Sequence, residues 1–447
     1  MAEEIRTLNP KSVWENFYRL TQIPRPTGQM EEVTKFVYDY GKSLGLETIK
    51  DNVGNIIIRK PATESFENHQ PVTLQSHLDM VPQKNSNVNH DFAKDPVDAY
   101  IDGDWVKAHG TTLGADNGIG ASLALAVLAD KSLKHGPIEA LFTVDEEVGM
   151  EGAFELKAGF VQGKIMLNCD SEDEGKLFVG CAGGADVNIS FQYKKGSPLI
   201  EGDEAVRIFL SGLKGGHSGV DIHLGRANAN KLMFRFLKNT VRDYGARLAY
   251  IEGGSMRNAI PREAVAVITL PKDNVELLWE FIADYQELYR KEYAGIEDNI
   301  SLKAELTKQP LSLIPEEIQD DIINAVEACQ NGVITMIHDF SGTVESSSNL
   351  AIIKSSEGLI EIKILARSSS ESRKEALLSS IESVFSLAGA KVEFSGAYNG
   401  WQPNINSPIL KTMEKTYLEL YGKQPEVAVM HAGLECGIIQ GTYPDMD

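Results

Sequence analysis

Four short segments combine residue types suited to metal-assisted hydrolysis. The first is Ser76-His77-Leu78-Asp79. On a strand, residues i and i+2 face the same side, so His77 and Asp79 project together. A ligating histidine gives its second ring nitrogen to a carboxylate or carbonyl, and Asp79 is spaced for that task. The second segment, Leu113-Gly114-Ala115-Asp116-Asn117-Gly118-Ile119-Gly120, sets a carboxylate in a glycine-rich turn that opens a helix. Asp is also a favoured helix N-cap, and for this segment alone that reading is the simpler one. The turn lacks GxxxxGK[ST] and is no phosphate loop. The third, Thr143-Val144-Asp145-Glu146-Glu147-Val148-Gly149, follows an apolar strand. Taken alone it reads as a solvated acidic loop. The functional reading divides the labour: one glutamate ligates metal, and its neighbour is a general base towards an activated water. The fourth is Asn168-Cys169-Asp170, closing IMLN.

Their combination depends on the elements that carry them. SVWENFYRLTQI and EEVTKFVYDYGKSLGL read as helices separated by the breaker PRPTG. NVGNIIIRKP, VTLQSHLDMV, IEALFTV and IMLN read as strands, and GADNGIGASLALAVLAD as a turn entering an apolar helix. This alternation predicts an α/β fold with a mostly parallel, helix-covered sheet over residues 1–185. Ligands of such sheets bind beyond the carboxyl ends of the strands. Asp79, Asp116, Glu146, Glu147 and Asp170 would then share one crevice. Carboxylates packed that closely repel, and two divalent cations would compensate them. Mixed His and carboxylate ligation suits zinc or its first-row relatives.

From residue 186 the texture changes. DVNISFQYKK, EAVRIFLSGL, RLAYIEGG, AVAVITL, GVITMIHDF, LIEIKILARSS and KVEFSGAY alternate like half-buried strands, with helical stretches between them. Residues 186–397 therefore read as an inserted α+β domain. Its texture suggests two similar halves, although no clean repeat is present. Residues 398–447 resume the helix–strand style of the first part.

Composition narrows the function classes. A net charge of −21 disfavours nucleic-acid and anionic-membrane surfaces. It also makes a single acidic residue uninformative, so only the pattern carries weight. Four cysteines, Cys169, Cys181, Cys329 and Cys436, show no CxxC spacing and read as free thiols of a reducing cytoplasm. The N-terminus has no basic stretch followed by an apolar one, so no secretory signal is read there. No run approaches the ~18 apolar residues of a membrane span.

Taken together, SHLDMVPQK, GTTLGADNGIG, TVDEEVGMEGA, LNCDSEDEG, KGGHSGVDIHLGRANA, RNAIPREA and HAGLECG resemble the co-catalytic di-zinc peptidase family of carboxypeptidases, aminoacylases and dipeptidases. The resemblance covers essentially the whole chain and lies closest to the dipeptidase branch. It implies metal ligation by His77, Glu147 and Asp170, with Asp116 bridging two zinc ions (manganese or cobalt being substitutes) and followed by a cis peptide. Glu146 would be the general base and Asp79 would orient His77. In the inserted lid domain, His217 would stabilise the oxyanion, and Asn258 and Arg367 would grip the substrate. Arg367 suits a free C-terminal carboxylate, because guanidinium binds carboxylate bidentately. Gly433 would line that carboxylate pocket, though the GLE of its motif also reads as a plain turn and helix start. The resemblance further implies dipeptide substrates, Xaa-His and β-Ala-His among them, and a homodimer. N-acyl amino acid hydrolysis and non-catalytic peptide binding are the alternatives. The family supplies a last metal-ligating histidine in a segment beyond HAGLECG. This sequence stops at Tyr443-Pro444-Asp445-Met446-Asp447, so the reading expects a C-terminally truncated chain that lacks that ligand and a closing strand. His431 matches a different motif and is not assigned as the ligand.

Overall fold

The structure is a computed structural model and describes residues 2–447. The chain forms two compact units, one of Met1–Val179, Asn404–Ala428 and Ile438–Asp447, the other of Gly180–Pro403 and Val429–Gly437.

The first unit begins with α1 (Lys11–Thr21) and α2 (Glu31–Ser43), followed by β1 (Glu47–Lys50), β2 (Ile56–Lys60) and β3 (Val72–His77). A small hairpin, β4 (Ala99–Asp102) and β5 (Trp105–Ala108), precedes α3 (Ala115–Ala129). Then come β6 (Ile138–Thr143), the short α4 (Glu151–Phe154), β7 (Ile165–Asn168) and β8 (Lys176–Cys181). The main sheet has strand order β1-β2-β6-β3-β7. β3 runs parallel to both β6 and β7, so the three strands end at the same edge. β1 and β2 are antiparallel because only a tight turn joins them, and such a turn cannot return a parallel strand. Asp51 builds that turn by accepting the N–H groups of Val53, Gly54 and Asn55.

Helical periodicity decides what packs on this sheet. Val33 and Val37 of α2 lie one turn apart and are fully buried with Ile56, Ile58 and Phe142. The apolar face of α3, Ala121, Ala124, Leu125 and Leu128, joins the same core. Each fully buried large side chain of this kind contributes roughly 1.5–3 kcal/mol. Helix α1 cannot continue past Ile23, because Pro24 and Pro26 lack the required N–H. The chain therefore runs extended, and Pro26 bridges Met80 in parallel just beyond β3.

The second unit contains β9 (Gly183–Gln192), β10 (Asp203–Ser211), β11 (Gly216–His217), α5 (Ala229–Tyr244), β12 (Arg247–Gly253), β13 (Ala259–Ile260) and β14 (Ala264–Pro271). These are followed by α6 (Val275–Glu292), β15 (Ser301–Leu306), α7 (Glu316–Ala328), β16 (Gly332–Met336), β17 (Val344–Ser356), β18 (Leu359–Ser368), α8 (Glu371–Leu387) and β19 (Lys391–Tyr398). One antiparallel nine-stranded sheet runs β15-β10-β14-β12-β17-β18-β9-β19, with β16 paired to β17. Alternate residues of its strands, such as Val187, Ile189 and Phe191, enter a core shared with Phe234, Phe236 and Phe385 from the helices. The chain closes with α9 (Pro408–Tyr421), β20 (Glu426–Met430) and α10 (Glu435–Thr442). All four cysteines are free thiols. Among the described residues no helix is long and apolar enough to cross a membrane.

Candidate metal centre and substrate-gripping residues

The parallel strands deliver their polar ends to one place. His77 ends β3 and is 1% exposed. Its Nδ1 lies 3.3 Å from Asp79, and its Nε2 lies 2.8 Å from Asp116 and 3.4 Å from Asp170. Asp116 enters from the start of α3, where Gly114 takes a left-handed conformation and the Asp116–Asn117 peptide is cis. The Asn117 side chain donates to Asp170 and to the Cys169 carbonyl, tying this turn to the end of β7. Glu146 and Glu147 leave the loop after β6. Their main-chain N–H groups donate to the two oxygens of Asp79, at 3.0 and 3.1 Å.

The Asp79 carboxylate therefore holds more than His77. It accepts two backbone N–H groups, faces the imidazole and receives the Thr27 hydroxyl at 3.0 Å. Burial works against its charge, but His77 and the two N–H groups outweigh burial and hold it below the ordinary carboxylate range. Burial likewise opposes a charge on His77. Asp116, Asp170 and Asp79 overcome that and raise its proton affinity far above that of a free imidazole. Glu147 is pushed up to about 7, first by burial and then by the charges of Asp116, Asp79 and Asp170.

A divalent cation fits this donor set. One ligand atom from each of His77, Asp116 and Asp170 lies within 4.8 Å of the others, and the same holds for His77, Glu146 and Glu147. His77 belongs to both groups. The excess negative charge that lifts Glu147 is what a cation would neutralise.

The PRPTG segment contributes what its sequence did not announce. The fully buried Arg25 guanidinium donates to the carbonyls of Leu78, Asp79 and Gly114. Burial lowers its pKa to about 10, opposed by Asp79 and Asp116, so it stays charged at neutral pH. The Gly28 N–H donates to Asp145 at 2.6 Å. Sequence reasoning treated this stretch as a helix breaker; an arginine between two prolines was the available signal.

In the second unit, His217 and Arg367 flank Gly219. A β-carbon on Gly219 would lie 3.2 Å from the His217 ring, 3.3 Å from Arg367 Nε and 2.2 Å from the His431 carbonyl. His217 Nδ1 accepts the N–H groups of Gly219 and Val220, which leaves the ring proton on Nε2. Burial and the Arg367 charge lower the His217 pKa, so the ring is a neutral donor. Asn258 is half-buried, and its carbonyl accepts the Ser218 N–H beside the β11–β13 pair. Arg367, on β18, is buried and donates to the Tyr398 hydroxyl at 2.7 Å, an anchor that sequence reasoning missed. His431 is buried with Nε2 2.7 Å from the Ser347 hydroxyl. Gly433 lies in the loop between β20 and α10.

Residues 73–447 match the model of peptidase family M20/M25/M40, and the chain belongs to this family of metal-dependent peptidases. It is 44% identical over 444 residues to the cytosol non-specific dipeptidase of Escherichia coli, covering 99% of this chain and 91% of that protein. The crystal structure of aminoacylhistidine dipeptidase from Vibrio alginolyticus superposes with a TM-score of 0.93 at 44% identity, over 100% of this chain and 92% of that one. The aminopeptidase PepT of Bacillus cereus shares the fold, with a TM-score of 0.54 at 17% identity, over 97% of this chain and 88% of that one.

Proposed function

We propose that this chain is a di-zinc dipeptidase that accepts Xaa-His dipeptides, β-Ala-His included. The observation that carries the reading is the single Asp79 carboxylate, which lies 3.3 Å from His77 Nδ1 and accepts the main-chain N–H groups of both Glu146 and Glu147. Such an arrangement separates a ligand from a base at adjacent positions. The dipeptidases named above support the substrate class.

His77, Glu147 and Asp170 would hold the metal, with Asp116 between two ions; manganese or cobalt would also suit these donors. The bound ions would supply Lewis acidity and a lowered water pKa. Glu146 takes the proton of the attacking water and returns it to the leaving amine. His217, neutral with its proton on Nε2, donates to the developing oxyanion. Arg367 pairs with the free C-terminal carboxylate, Asn258 adds a hydrogen bond to the substrate, and Gly433 lines the carboxylate pocket. In this reading residues 186–397 form the lid, residues 1–185 and 398–447 the catalytic domain. The protein acts in the cytoplasm as a homodimer.

The test is release of free histidine from β-Ala-His and Gly-His with added zinc or manganese. Release that a chelator abolishes is expected. Hydrolysis of N-acetyl amino acids but not of dipeptides would replace this reading with an acylase.

A further inference from the structure

Arg25 forms no ion pair with a carboxylate of the cluster, yet its guanidinium is fully buried beside it. Burying an arginine costs several kcal/mol unless its donors are satisfied. Here Nη1 and Nη2 are satisfied by main-chain carbonyls from two separate loops, while Nε has no hydrogen-bond partner among the described residues. Nη1 donates to Leu78 at 2.9 Å and to Asp79 at 3.2 Å, while Nη2 donates to Gly114. Leu78 lies between His77 and Asp79, and Gly114 lies two residues before Asp116. One rigid, planar cation thus spans the strand end that carries the imidazole and the turn that carries the Asp116 carboxylate. Lysine could not reproduce this, because its donors radiate from a single point.

Two glycines make room for it. A β-carbon at Gly114 would lie 2.5 Å from Arg25 Nη2, and one at Gly118 would lie 2.7 Å from the same atom. Gly118 has no positive φ, so its need for glycine is space, which the guanidinium shares with the Phe17 ring at 2.9 Å. The main chain of Arg25 adds a further tie, its carbonyl accepting the Met80 N–H at 3.1 Å.

We propose that Arg25 is a positioning residue that fixes the spacing between the His77–Asp79 strand end and the Asp116 turn, and so sets metal affinity before any substrate arrives. The proposal rests on the metal-site reading above.

The test is titration of the metal-free protein with cobalt(II), following both affinity and the visible absorption band. It compares the unsubstituted protein with Arg25→Lys, Gly118→Ala and the double variant, each checked for a native circular dichroism spectrum. Arg25→Lys should weaken cobalt binding about 10–100-fold, the usual effect of losing a residue that orients ligands, and should alter the band. Gly118→Ala should do the same by displacing the guanidinium, and adding Phe17→Leu, which frees the ring side of the new methyl, should not restore affinity. In the Arg25→Lys/Gly118→Ala double variant the two effects should not add, because both act through one contact. A folded Arg25→Lys variant with unchanged affinity and band overturns the proposal. If that variant does not fold, Gly118→Ala and Gly118→Ala/Phe17→Leu decide: unchanged cobalt affinity and band in the first, or recovery in the second, overturn the proposal, and weakened binding with an altered band in both supports it. Failure of the unsubstituted protein to bind cobalt would instead overturn the metal-site reading, and the proposal with it.

Discussion

Asp79 Oδ1 accepts the main-chain N–H of Glu146 at 3.0 Å, across 67 residues of sequence. The same carboxylate takes the Glu147 N–H at 3.1 Å and faces His77 Nδ1. One buried acid therefore couples the end of β3 to the loop after β6. Asp79→Ala should lower metal affinity about 10–100-fold, as expected for a residue that supports ligands. A chelator-competition titration measures this, and undiminished affinity would refute the coupling.

Glu146 is assigned proton transfer and not ligation. Glu146→Ala should retain bound metal while turnover falls about 10²–10⁴-fold, the usual range for a lost general base. Metal content by mass spectrometry and dipeptide kinetics on the same sample give both numbers. Normal turnover would remove Glu146 from the mechanism.

Arg367 donates to the Tyr398 hydroxyl through Nη1, while its Nε has no hydrogen-bond partner among the described residues. If Arg367 pairs with the substrate carboxylate, Arg367→Ala should lose about 1.5–3 kcal/mol of binding, the range for charge-assisted hydrogen bonds. The loss should fall mainly on KM and should disappear with C-terminally amidated dipeptides. Tyr398→Phe should raise KM less and leave kcat unchanged. Equal losses on free and amidated substrates would contradict carboxylate recognition.

His431 provides a pH prediction. Burial, reinforced by the Arg367 charge, lowers its pKa to about 3. The unfolded chain binds a proton on this imidazole near pH 6.5, whereas the folded chain does not. The folded state is therefore favoured above pH 6.5 and loses that advantage as pH falls from 6.5 towards 3. Denaturant midpoints of the unsubstituted protein should drop across that window. His431→Gln should show a shallower drop, and identical slopes would exclude His431 as the cause.

The local chemistry was legible in the sequence because it depends on short spacings. His77 and Asp79 share a face at i and i+2, and Asp116 needs its glycines immediately beside it. Asp145, Glu146 and Glu147 follow an apolar strand, and all of these segments occur where expected. Periodicity also exposed α1, α2 and α5, whose buried faces recur at helical spacing. What remained hidden depends on contacts between distant segments. β17 carries the polar run Ser346-Ser347-Ser348-Asn349, with no apolar alternation to mark it. It is nevertheless an interior strand of the sheet, where Ser346, Ser347 and Asn349 find partners in Ser368, His431 and the Ala259 carbonyl. Arg25 read as part of a helix breaker, since nothing local distinguishes a solvated guanidinium from one enclosed by three carbonyls. Sequence by itself determined which residue types recur at spacings suited to metal binding and proton transfer. Only the tertiary structure decided that Asp79, Arg25 and Asn117 hold them in register, because a hydrogen bond between loops 53 to 89 residues apart leaves no periodic trace in the chain.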